Sequence, residues 1–77
     1  MRFSAVIDSM LNNGRERWTR AGWNGKGQYV ELHPRGDHTE PYIEMSTVDG
    51  LHVPWLASQT DMLAEDWEAV PVVSYVE

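Results

Sequence analysis

The stretch Arg20-Ala21-Gly22-Trp23-Asn24-Gly25-Lys26-Gly27 constrains the fold more than any other in this chain. Eight residues hold three glycines, a tryptophan, an asparagine and two cations. The segments on either side read as extended. Residues 16–23 alternate loosely, with Trp18 and Arg20 on one face and Arg17, Thr19 and Ala21 on the other. Residues 28–33 set Val30 and Leu32 against Tyr29, Glu31 and His33. Two alternating segments joined by a glycine-rich turn predict a β-hairpin. The turn also has ligand chemistry. Glycines let a ligand approach main-chain N–H groups, tryptophan offers a stacking face, and asparagine both donates and accepts hydrogen bonds. The stretch contains neither G-x-x-x-x-G-K-[ST] nor G-x-G-x-x-G, so it is not a standard nucleotide motif.

The elements around the hairpin follow from periodicity and punctuation. Phe3, Val6, Ile7, Met10 and Leu11 mark one face of an amphipathic helix over 4–13, with Ser4 as N-cap and Asn13-Gly14 as the stop. A proline-bounded loop over 34–41 leads to a third strand at 42–47, with Ile43, Met45 and Thr47 on one face. Asp49-Gly50 signals a tight turn into a short fourth strand at 51–53. Ser58 and Asp61 have capping-box spacing, which predicts a short helix over 59–64. A last strand covers 67–70, and 72–76 extends it beyond Pro71. The predicted class is α+β: an N-terminal helix packed on an antiparallel sheet of about five strands, with a short helix before the last strand.

At 77 residues the chain is one small domain, 1–77, and buries only about 60% of its unfolded surface. Domains this small often add disulfides, a metal or partner subunits. Cysteine is absent, which excludes disulfides and zinc–thiolate sites and leaves self-association. His33, Asp37 and His38 match no standard metal spacing and read as a solvated loop. No apolar run is long enough to span a membrane, and Asp8 and Asn12 break any signal pattern, so an intracellular protein is expected. Five of the six cations lie in residues 1–27 against two acids, while residues 28–77 hold one cation against ten acids. A chain so acidic overall is a poor general binder of DNA or RNA, whose affinity comes from neutralising phosphates. Catalysis is weakly supported. Ser58 is occupied as a cap, no G-x-S-x-G occurs, and acids as common as Asp61, Glu65, Asp66 and Glu68 carry little information. Trp18 and Trp67 sit in strand patterns and read as core, as does Phe3 at the helix start. Trp23 and Trp55 stand at strand ends, where a ring can face a pocket.

Three blocks carry a family resemblance. They are Ala21-Gly22-Trp23-Asn24-Gly25-Lys26-Gly27, Pro41-Tyr42-Ile43, and Val53-Pro54-Trp55-Leu56-Ala57-Ser58-Gln59-Thr60-Asp61-Met62-Leu63-Ala64-Glu65-Asp66-Trp67. Together they closely resemble the Thoeris anti-defence 2 family of phage proteins, over residues 3–70. The resemblance implies a non-enzymatic binder with no cofactor, metal or catalytic residue. Such proteins sequester the cyclic ADP-ribose isomers made by bacterial TIR-domain proteins, and some members also hold cyclic di- or oligonucleotides. It implies a homotetramer with ligand pockets between subunits, acting in the cytoplasm of the infected host. For a ligand of that kind, Trp23 and Trp55 would stack on the base, with Phe3 as a third ring, at about 1–3 kcal/mol per base. Asn24 would read a base edge or a ribose. Ser58 and Thr60, at a helix start, would meet phosphate or ribose hydroxyls, and Arg20 and Lys26 would neutralise charge. Two rival readings are a messenger hydrolase using the acids around Asp61 and Glu65, and an acidic inhibitor of a host protein.

Overall fold

A computed structural model of the chain describes residues 1–14, 16–23 and 27–71. Asn24, Lys26 and the strand extension at 72–76 lie outside the described residues. The elements run α1 (Phe3–Asn13), β1 (Arg17–Arg20), β2 (Tyr29–His33), β3 (Tyr42–Ser46), β4 (His52–Pro54), α2 (Gln59–Leu63) and β5 (Trp67–Val70). This is the expected α+β order. The strands form one antiparallel sheet in the order β4-β3-β2-β1-β5. Strands β1 to β4 are a meander. The segment carrying α2 then crosses from the β4 edge to place β5 on the far side of β1.

Helix α1 starts one residue before the sequence suggests. Arg2 is the N-cap, without a side-chain cap bond, and Ser4 lies inside the first turn. The helix ends as expected: Gly14 takes φ 77° and donates its N–H to the Met10 carbonyl. The buried stripe is narrower than the five apolar positions. Val6 and Met10 are fully buried and Phe3 packs beside them, but Leu11 is 67% exposed. A helix laid on a flat sheet presents one ridge, and Leu11 falls outside it.

Val6 and Met10 meet Trp18, Val30 and Trp67 in the core, with Leu32, Ile43 and Met45 packed around them. The alternation predicted for β2 and β3 therefore faces the right way. Strand β1 is shorter than the predicted 16–23. It stops at Arg20 because the Ala21 N–H bonds the Asp66 carbonyl at 3.2 Å and the Gly22 N–H bonds the Asp66 carboxylate at 2.9 Å. At the other end of the sheet, Gly50 takes φ 82° in the β3–β4 turn and its N–H reaches the Thr47 carbonyl at 2.9 Å.

Candidate aromatic site

Four rings from four parts of the chain meet at one end of the helix-covered face. Trp67 of β5, 2% exposed, is the hub. Phe3, Trp23 and Trp55 lie 5.2, 5.3 and 5.9 Å from it, centroid to centroid. Phe3–Trp55 and Trp23–Trp55 close the cluster at 5.9 and 6.2 Å. All of these except the tilted Phe3–Trp67 pair are edge-to-face, which suits the ring quadrupoles and is worth about 0.5–1.5 kcal/mol per pair. Phe3, Trp23 and Trp55 are only partly buried, so each keeps some surface for a further contact.

The polar frame of the cluster is built on Asp61, in the first turn of α2. Its N–H donates to the Ser58 hydroxyl at 3.1 Å, the expected cap. Its carboxylate does not simply reciprocate within a capping box. One oxygen accepts from Arg20 Nη1 at 2.8 Å and from the Trp23 indole N–H at 3.2 Å. Its carbonyl accepts from the Trp67 indole N–H at 2.9 Å. Asp66 takes the other side of the same guanidinium, accepting from Arg20 Nε at 2.8 Å.

Charge follows from this geometry. Burial pushes the Asp61 carboxyl up, but hydrogen bonds from Arg20, Trp23 and Ser58 outweigh it and hold the group below its ordinary 3.8. The Arg20 guanidinium, against partial burial, holds Asp66 below its ordinary value too. Arg20 is raised in turn, by the hydrogen bonds to Asp66 and then Asp61. Its side chain is 15% exposed and already engages two carboxylates, so it is committed to the fold rather than offered to an incoming anion.

The remaining sequence candidates fall around this cluster. Ser58 and Thr60 are exposed at the start of α2, a helix of five residues whose small dipole and acidic first turn give little pull on an anion. Phe3 lines a cleft of about 290 Å³ between the ends of the two helices, together with Arg2, Ser4, Met62, Leu63, Ala64 and Glu65. Phe3, Trp23 and Trp55 thus come together directly, and Ser58 joins them through Asp61. Asp61 and Asp66 have roles the sequence did not reveal, because their partners lie 38 to 46 residues away. His33 does not belong to a solvated loop with Asp37 and His38: it is the last residue of β2, paired with Tyr42 of β3, and stacks on that ring at 4.6 Å on the other face of the sheet.

Comparison with known proteins bears on this geometry. A family model described as a Thoeris anti-defense 2-like domain matches residues 1–70. A protein of Bacillus phage SP01 named Thoeris anti-defense 2 is 33% identical, with the match covering 91% of this chain and 94% of that protein.

Proposed function

The chain belongs to the Thoeris anti-defense 2-like family, and we propose that it is a phage anti-defence protein that sequesters cyclic ADP-ribose-type messengers without degrading them. By holding the messenger, it keeps the Thoeris effector inactive in the cytoplasm of the infected bacterium. The observation that carries this reading is the aromatic cluster, in which Trp23 and Trp55 are held in place but not fully covered. Rings fixed by neighbours lose little freedom when a base stacks on them, so more of the stacking energy appears as affinity. Ser58 and Thr60 supply hydroxyls for ribose or phosphate, and Asn24, which lies outside the described residues, reads a base edge or ribose.

Two further features support the reading. The carboxylate of Asp61 is occupied by Arg20 and Trp23, which leaves it poorly placed as the base of a hydrolase. The clefts at Phe3 and on the opposite sheet face are each about 290 Å³, just below the roughly 300–1,000 Å³ of small-molecule sites. A dinucleotide-sized messenger needs more wall than that, which fits a homotetramer whose subunits close each other's pockets. Cyclic di- or oligonucleotides are the second ligand class of this reading, for the same assembly. Thermal shift and native mass spectrometry over a panel of cyclic nucleotides test ligand and assembly together. A cyclic ADP-ribose isomer should raise the melting temperature and appear bound to a tetramer; no shift with any member of the panel contradicts the reading.

A further inference from the structure

We propose that Asp61 is a positioning residue that sets the Trp23 ring for ligand stacking, with Asp66 holding the backbone that leads to it. This rests on Trp23 being a stacking surface. Asp61 is 14% exposed at its side chain and stands where four constraints meet. Its N–H is tied to Ser58, its carbonyl to the Trp67 indole, and its carboxylate to Arg20 and to the Trp23 indole. An indole ring has two free torsions, and packing against Trp55 and Trp67 restricts its plane. The hydrogen bond from Nε1 selects which edge points inward and therefore which edge and face are left for a ligand.

Asp66 acts one step earlier along the chain. It grips Arg20 through Nε and Gly22 through its N–H, and its carbonyl takes the Ala21 N–H. The turn is closed by Trp23 N–H on the Arg20 carbonyl at 3.1 Å. Gly22 suits this grip, since a Cβ there would stand 3.0 Å from the Asp66 carboxylate. Two aspartates, from α2 and the approach to β5, thus clamp residues 20, 22 and 23 of the opposite segment. The ion pairs with Arg20 keep both carboxylates charged and aimed.

Two measurements decide it. In the wild-type protein the Trp23 indole N–H should exchange with solvent more slowly than that of Trp55, which has no such bond among the described residues; equal rates overturn the assignment, and no variant is needed. Affinity for a panel of cyclic ADP-ribose isomers is then measured for Asp61→Asn in two backgrounds, wild type and Trp23→Phe, which keeps an aromatic ring but lacks the donor. Asp61→Asn should weaken binding about tenfold in the first background and less than about twofold in the second, a coupling of ordinary size for contacting residues. An equal loss in both backgrounds makes Asp61 merely structural, and no loss in either removes it from the site. If the wild type binds no isomer, the sequestration reading fails, while the exchange rates still decide the role of Asp61 toward Trp23.

Discussion

The two faces of this sheet come from the same alternating strands and behave as opposites. On the helix-covered face, apolar rings meet and the few charges are paired to partners that are charged at neutral pH, as Arg20 is with Asp61 and Asp66. On the other face, strand register sets Glu31 directly opposite Glu44, a like-charge pair that costs stability. Arg17 lies 3.6 Å from Glu31 and also covers the Tyr29 ring at 4.5 Å. Glu44 is relieved by the Tyr42 hydroxyl at 3.3 Å and by His52 at 3.0 Å, a partner charged only when protonated. Glu44, at 16% side-chain exposure, is shielded about as well as Asp61, so burial alone does not separate the two faces. What separates them is the partner. One face spends its charges on fixing rings, and the other balances them loosely among themselves.

That contrast can be broken most directly at Trp67. Its replacement by alanine removes the hub of four rings and a fully buried indole, and should cost about 3–5 kcal/mol of stability by denaturant unfolding. Tyr42→Ala, on the other face, should cost clearly less; equal losses would erase the distinction. Next come the two half-covered rings. Trp23→Ala or Trp55→Ala should weaken messenger binding at least tenfold, about 1.4 kcal/mol or more, while the protein remains folded by circular dichroism. Unchanged affinity in both would take them out of the pocket.

Acid should act on the ring face as well. Asp61 and Asp66 are held below their ordinary 3.8 in the folded protein, so there the unfolded chain binds more protons than the folded one. Their contribution is present above that ordinary value and is lost as pH falls through their lowered folded values. Urea midpoints should therefore drop in that acid window, and Asp61→Asn should flatten the drop; a profile identical to wild type would detach Asp61 from the stability of this face. The smallest effect belongs to the open face. Glu31→Gln relieves one like-charge contact but loosens Arg17, and should change stability by no more than about 0.5 kcal/mol.

Much of the fold was legible because its signals are local. Asn13-Gly14 stops α1, Asp49-Gly50 turns β3 into β4, and the Ser58 hydroxyl caps Asp61 three residues on. Period-two patterns put Val30 and Leu32 on the core side, and strand context put Trp18 and Trp67 inside. The misses have physical causes. Ser4 looked like a cap, yet the helix begins before it, because Phe3 enters the helix to pack on Trp67. Leu11 fits the helical period but lies off the single ridge that meets the sheet. The clamp on Trp23 was invisible because Arg20 and its aspartates are far apart in sequence, and acids are too common in this chain to stand out. The opening glycine-rich stretch gains a sharper role: at least as far as Trp23, it is held by the α2–β5 segment rather than free to choose its own turn.

The central claim is that the messenger is held and not consumed. Protein is incubated with a cyclic ADP-ribose isomer until free messenger disappears, then heat-denatured, and the released nucleotide is identified by mass and chromatography. Recovery of the intact cyclic messenger, in proportion to the protein present, is the predicted result; recovery of a linearised or cleaved product would contradict it.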